Sequence, residues 1–391
     1  MDLCGPKVRT DNQPYTLVKG EQWLLRPGSG SPSEKCIGIT HPNLHQLVPV
    51  KSAILLDDGK FALQVLEVLE SGLRCEVMDS GLLKPRKAVN TPGIDNELSV
   101  LSEKDCLDLQ FGIEQGVDWV AISFVRTAWD VQQVRNFMKH KGWSAPLVAK
   151  IETPLALGNL ESIIQESDGV MVARGDLGIE CPIEEIPLHQ HRILELANHA
   201  GKLSIVATQM LESMIENPRP TRAEVTDIAH AVSEGTQVVM LSGETTTGKY
   251  PLEAVQVMQR TLRNAEKALP PIPDRPDSIA PADEVLWAAV KIQARTNAKL
   301  LVAFCETEQE VATLASLKCR APVLVACKNS LLLPRVNLYF GIMPLVPGCC
   351  ENNKGIMDCA TRIILEEGFA RKGEQVVFVY EHHTALQLCI L

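Results

Sequence analysis

Val170-Met171-Val172-Ala173-Arg174-Gly175-Asp176-Leu177-Gly178 is the stretch on which the reading of this chain turns. An unbroken apolar run passes straight into arginine, glycine and aspartate, so a buried strand ends in charge rather than in a neutral turn. The pattern recurs. Short apolar runs at Trp119–Ile122, Leu147–Ala149, Ser204–Ala207 and Val238–Leu241 lead into further polar pairs. These are Ser123 and Arg126, Lys150 and Glu152, Thr208 and Gln209, and Ser242 and Glu244. Between the runs the spacing is helical: Val225, Ile228, Ala229 and Val232 recur at i, i+3, i+4 and i+7. Strict alternation of this kind predicts a parallel sheet covered by helices, as a barrel or a doubly wound sheet. In both, the C-terminal strand ends gather on the face where ligands bind.

The flanking regions have other rhythms. From Tyr15 to Asn90 short strands such as Trp23-Leu24-Leu25, Ala53–Leu56 and Phe61–Val68 alternate with turns, and Asp58-Gly59 is a hairpin signal. A small all-β domain is expected there. Pro270, Pro271, Pro273, Pro276 and Pro281 mark a linker. Beyond it, helices over Asp283–Asn297 and around Met357–Leu365 are expected. They accompany strands at Leu300–Phe304, Pro322–Ala326, Met343–Val346, Val376–Tyr380 and Ala385–Ile390, a separate α/β domain.

Composition bounds the function. With 391 residues and a net charge of −10, the chain suits two or three soluble domains. It lacks the clustered basic charge that a dedicated nucleic-acid binder needs. No apolar run approaches the roughly 18 residues of a membrane span. The twelve cysteines are scattered, without a Cys-x-x-Cys pair or zinc spacing, which reads as reduced thiols in a cytoplasmic protein.

The strand ends themselves suggest a chemistry. Glu152 and Asp176 are hard oxygen donors suited to Mg²⁺, with water and substrate completing the shell. Lys150, two residues before Glu152, points to the same side of its strand. It could neutralise a transferring phosphoryl group, or simply form a salt bridge with Glu152. Gly175 lets backbone N–H groups approach an anion. Thr208 and Ser242 could hold substrate or water, or cap helices. Thr221 and Glu224 form a T-x-x-E capping box and read as structural. No HExxH, GxSxG or GxxxxGK[ST] motif competes.

At this point longer motifs match. Met171–Gly178 resembles the Mg²⁺ and substrate segment of pyruvate kinases, and so does Ala207–Ile215 with the following Pro-Arg-Pro-Thr-Arg-Ala-Glu. Met240-Leu241-Ser242-Gly243-Glu244-Thr245 is similar to another family signature. Gly5–Arg9 and Lys87–Gly93 resemble the segments entering and leaving the family's lid domain. The resemblance implies a TIM-type (β/α)₈ barrel, lacking its first two strands in this chain, with an inserted all-β lid and a C-terminal α/β domain. The boundaries are 1–9 for the barrel strand leading into the lid, 10–92 for the lid and 93–268 for the barrel. The linker is then 269–282 and the C-terminal domain 283–391.

The resemblance further implies phosphoryl transfer from phosphoenolpyruvate to ADP, giving pyruvate and ATP, with Mg²⁺ and K⁺. It makes Lys150 the stabiliser of the transferring group and Glu152 and Asp176 the Mg²⁺ ligands. Gly175 and Asp176 amides, with Thr208, hold the substrate carboxylate, and Ser242 and Glu244 lie near the proton-delivery path. Asp2 and the Leu3 carbonyl match K⁺ ligands; Arg9 and Lys87 match nucleotide contacts. A cytoplasmic homotetramer is the family expectation. Two departures stand out. The family carries an Arg, an Asn and a Ser before the segment matching Met1, so little activity is expected from this chain alone, and an impaired homologue with a binding role is the alternative. The family's effector-phosphate loop is here Cys305–Glu310, with three acidic residues, and Glu381-His382-His383 replaces a glycine-rich turn. Both argue against sugar-phosphate activation.

Overall fold

The computed structural model describes residues 1–95, 98–269, 284–327, 332–345, 353–380 and 385–391, without the side chains of 353–356. The proline cluster and Glu381-His382-His383 lie outside the described residues. The chain forms two compact units, Met1–Ile193 with Ala207–Gln209, and Leu194–Val206 with Met210–Leu391.

After a short N-terminal segment, the first unit opens with the expected all-β region. Its strands are β1 (Tyr15–Leu17), β2 (Gln22–Pro27), β3 (Cys36–Ile39), β4 (Ala53–Leu56), β5 (Phe61–Leu69), β6 (Gly72–Val77), β7 (Gly81–Leu83) and β8 (Val89–Asn90). Six of them form a sheet in the order β3-β2-β6-β5-β4-β8, and β1 pairs with β7. The sequence dictates the β4–β5 hairpin. Asp57, Asp58 and Gly59 have φ of 53°, 56° and 83°, and this left-handed turn brings Leu56 opposite Phe61. Alternation places Trp23, Leu25, Phe61, Leu63 and Val65 inside, where the Tyr15 ring meets Trp23 edge-on at 5.8 Å.

Next come β9 (Val120–Ile122), β10 (Leu147–Ile151) and β11 (Gly169–Ala173), which are parallel neighbours. Their apolar residues are almost wholly buried, as a sheet covered on both faces requires. The N-terminal segment continues this sheet. Leu3 N–H donates to Ala121 O at 3.0 Å and Ala121 N–H to Met1 O at 2.8 Å, a parallel bridge beside β9.

In the second unit β12 (Leu203–Ala207) neighbours β13 (Val238–Met240). Thr221 and Glu224 form the expected capping box of the helix Arg222–Ser233. The C-terminal sheet consists of β14 (Leu300–Phe304), β15 (Val323–Ala326), β16 (Ile342–Leu345), β17 (Gln375–Tyr380) and β18 (Ala385–Ile390). Its order is β16-β15-β14-β17-β18, parallel except for the antiparallel edge strand β18. The ten described cysteines are all free thiols.

Candidate active site

Strand alternation builds the centre of the site. Lys150 and Glu152, two apart at the end of β10, project together, and Lys150 Nζ lies 3.1 Å from Glu152 Oε1. The ammonium also donates to Ser123 Oγ at 2.7 Å, beyond the end of β9, and stands 3.4 Å from the Asp2 carboxylate. Ser123 in turn donates to the Leu3 carbonyl at 2.8 Å. Three neighbouring chain segments therefore converge on one lysine.

Burial and charge oppose each other here. Burial would lower the Lys150 proton affinity, but the carboxylates of Glu152 and Asp2 outweigh it and hold the pKa above the ordinary value. Glu152 is fully buried, and burial lifts its pKa to about 7, with the Asp176 charge adding to the rise. Lys150 and the Phe124 N–H, which donates to Glu152 Oε2 at 2.6 Å, pull it back down. Oε1 is buried and receives only the ion pair, no well-directed hydrogen bond. A buried carboxylate oxygen left short of donors, beside a second carboxylate, is the donor set a hard divalent cation fits. No group of three or more His, Cys, Asp or Glu is placed to hold a metal ion by itself among the described residues, so substrate and water oxygens would have to complete a shell.

Asp176 opens the helix Arg174–Glu180 directly after β11 and is paired with Lys7 at 3.6 Å. Lys7 also lies 5.2 Å from the Phe124 ring centroid, stacked over its face. Sequence reasoning quoted Lys7 within Gly5–Arg9 without giving it a role. The charge opposite Asp176 only becomes visible once the chain is folded. The Gly175 N–H donates to Thr208 Oγ1 at 2.9 Å, and the Thr208 carbonyl accepts from Arg174 Nε at 3.2 Å and Nη2 at 2.6 Å. Thr208 and Gln209 both have positive φ, 68° and 57°. Two consecutive non-glycine residues in that region store strain, a recurrent property of functional sites.

The other expected positions fall elsewhere. Arg9 donates to the Arg86 carbonyl at 3.1 Å and lines a cavity of about 620 Å³ with Lys7, Arg86 and Lys104. Lys87 is not on that wall; it pairs with Asp57 at 2.6 Å. Ser242 and Glu244 belong to the second unit. Glu244 is buried, accepting from Leu211 N–H at 3.0 Å and Ser242 N–H at 2.8 Å. Ser242 stands at the N-cap of a short helix without making a side-chain cap bond, so capping does not explain its hydroxyl.

A family model described as pyruvate kinase, barrel domain, matches residues 1–255, and one described as pyruvate kinase, alpha/beta domain, matches residues 283–385. The chain belongs to the pyruvate kinase family. It is 38% identical to a pyruvate kinase of Mycobacterium tuberculosis over 97% of this chain and 81% of that protein. It is 35% identical to pyruvate kinase 2 of Synechocystis over 96% of this chain, which spans only 65% of that protein. Among solved structures, a pyruvate kinase of Cryptosporidium parvum superposes with a TM-score of 0.90 at 30% identity, covering all of this chain and 83% of the other. No helix among the described residues is long and apolar enough to cross a membrane.

Proposed function

We propose that the chain carries out phosphoryl transfer between phosphoenolpyruvate and ADP, with Mg²⁺ and K⁺ as its cations. The observation that carries this reading is the convergence of Lys150, Glu152 and Asp176 at adjacent parallel strand ends. Glu152 and Asp176 would hold Mg²⁺, which supplies charge neutralisation at the oxygens between which phosphorus moves. Lys150, kept protonated by its carboxylate neighbours, offsets the charge spread over the transferring group. Ser123 and Asp2 fix where that ammonium sits.

The substrate carboxylate would take the place of Thr208 Oγ1 as acceptor for the Gly175 N–H, and the Thr208 hydroxyl, which donates to the Ala207 carbonyl at 2.6 Å, would turn to donate to it. Asp2 and the Leu3 carbonyl supply oxygens for K⁺. The cavity holding Arg9, Lys7, Arg86 and Lys104 suits nucleotide phosphates. Lys87, neutralised by Asp57, contributes to nucleotide binding only after that pair opens. Glu244, with both oxygens committed to backbone N–H groups, acts as a fixed acceptor that sets the Ser242 backbone rather than as a proton donor. Assembly as a homotetramer and a cytoplasmic location belong to the same reading.

The test is a lactate-dehydrogenase-coupled assay with phosphoenolpyruvate, ADP, Mg²⁺ and K⁺ on the chain and on Lys150→Met. Turnover, however slow, is expected to fall at least about 100-fold in the variant. Equal rates in two folded proteins would overturn the proposal.

A further inference from the structure

Beside the site lies a second cavity of the first unit, about 340 Å³, that touches it through Lys7, Phe124 and Asp176. Lys150, Glu152, Gly175 and Thr208 are not on its wall. Both connectors of the lid line it, through Val8 on the way in and Val89 and Asn90 on the way out. So do the loops after β9, β10 and β11, through Phe124, Leu155 and Glu180.

Its charges are unevenly matched. Lys7 is engaged by Asp176, and Arg126 by Asp95 at 2.5 Å. Among the described residues Glu180 has no cationic partner; its two oxygens accept from neutral amides, Asn90 Nδ2 at 3.2 Å and Gly93 N at 3.3 Å. Asn90 is 9% exposed, and donation to a carboxylate settles which of its amide atoms is nitrogen. Its Oδ1 is therefore a true acceptor, and it is buried with no hydrogen-bond partner among the described residues. An unpaired buried carbonyl oxygen costs about 1–3 kcal/mol, and one on a cavity wall calls for a donor from whatever fills the cavity. The remaining wall is largely apolar, formed by Val8, Val89, Ile94, Phe124 and Leu155.

We propose that this cavity binds a small amphipathic amine. Its ammonium donates to Asn90 Oδ1 and the Glu180 carboxylate, and its apolar body rests on Val89, Ile94, Phe124 and Leu155. Because the wall combines both lid connectors with the strand-end loops, an occupant ties the two together and restrains the lid. The proposal does not depend on the phosphoryl-transfer reading: of the groups that reading uses, Lys7 and Asp176 alone reach the wall, and neither is asked to contact the amine.

The test titrates the full chain with phenethylammonium chloride by calorimetry. The comparison ligand is 3-phenylpropionate, of similar shape and opposite charge. Phenethylammonium should bind saturably at one site, at least about tenfold more tightly than the carboxylate. Leu155→Trp, at a 43% exposed position where a larger ring is tolerated, should abolish binding by filling the cavity. Hydrogen exchange on the wild-type chain gives an independent reading, with the amides of residues 88–93 slowing in phenethylammonium. Any one of three results overturns the proposal: no saturable binding, equal binding of the carboxylate, or unchanged exchange at those amides.

Discussion

Lys150 and Lys318 are both withdrawn from water, one in each unit, and their environments push them in opposite directions. Lys150 faces Glu152 and Asp2, and these carboxylates more than cancel the cost of burial, so its proton is held tightly. Burial dominates at Lys318 and drives its pKa down to about 8, with the more distant Glu266 only partly offsetting the shift. Its Nζ donates to the Gly235 carbonyl at 3.0 Å and stacks 4.7 Å from the Phe340 ring centroid. The difference lies in the company each ammonium keeps. Lys150 sits in a cluster whose charges are in reach of one another and of a ligand. Lys318 is a packing residue that carries a charge at a cost.

Removing the carboxylate from the first lysine is the severest way to break this contrast. In Glu152→Gln the buried anion disappears, Lys150 loses its closest counter-charge and, on the function proposed above, the divalent cation loses one of two carboxylate ligands. Mn²⁺ affinity, read by water-proton relaxation as a probe for Mg²⁺, should fall at least about 100-fold, beyond the usual cost of disturbing an outer-shell group. Unchanged Mn²⁺ binding would remove Glu152 from the metal set.

The second lysine gives the next largest effect, and its sign is opposite to that of a paired group. Folding lowers the Lys318 pKa to about 8, while the unfolded chain keeps the ordinary lysine value. Between about pH 8 and 10.4 the unfolded state binds more protons, so stability should climb with pH by up to about 1.4 kcal/mol per unit. Buried thiols with raised pKa, such as Cys319 at about 11, slope the other way. The comparison is therefore between the wild-type chain and Lys318→Met in denaturant titrations at each pH. The variant should be the more stable at pH 7 and the gap should close by pH 10. A gap that stays constant with pH would show that Lys318 is not desolvated in solution.

What the sequence made legible follows the same division. Strand positions were readable because each is a short, largely apolar run set off from the helical spacing around it. Leu300–Phe304 and Ala385–Ile390 match their observed limits, and β10 extends past its expected end only to include Lys150 and Ile151. The Lys150–Glu152 pairing was readable because two-residue periodicity needs no tertiary knowledge. What was not readable depends on contacts distant in sequence. Asp2 and Leu3 reach Lys150 and Ser123 across more than a hundred residues, and Lys7 reaches Asp176 across still more. The left-handed backbone at Thr208 and Gln209 has no local marker, since neither residue is glycine or asparagine. Lys87 carries the right motif, yet nothing nearby in sequence announces that Asp57 will neutralise it.

The smallest expected effects come from two threonines that follow parallel strands. After β14, Thr307 Oγ1 accepts from Glu310 N–H at 3.3 Å, and the Glu310 carboxylate accepts from Glu306 N–H at 2.7 Å and Thr307 N–H at 3.3 Å. The start of the helix Glu308–Ser316 is thus closed by its own capping box. The helix Arg174–Glu180 has no cap from its own N-cap residue, Ala173, and its Gly175 N–H leans on Thr208 instead. Thr307→Ala should therefore cost about 1 kcal/mol of stability and leave the KM for phosphoenolpyruvate unchanged. Thr208→Ala should reverse the pattern. Its alanine keeps the strained backbone but removes the hydroxyl, so the KM for phosphoenolpyruvate should rise about tenfold, equivalent to about 1.4 kcal/mol, with the melting temperature little changed. Measured side by side, a stability loss in Thr208→Ala without a change in KM would make its hydroxyl a cap like that of Thr307, and the two junctions would no longer differ in kind.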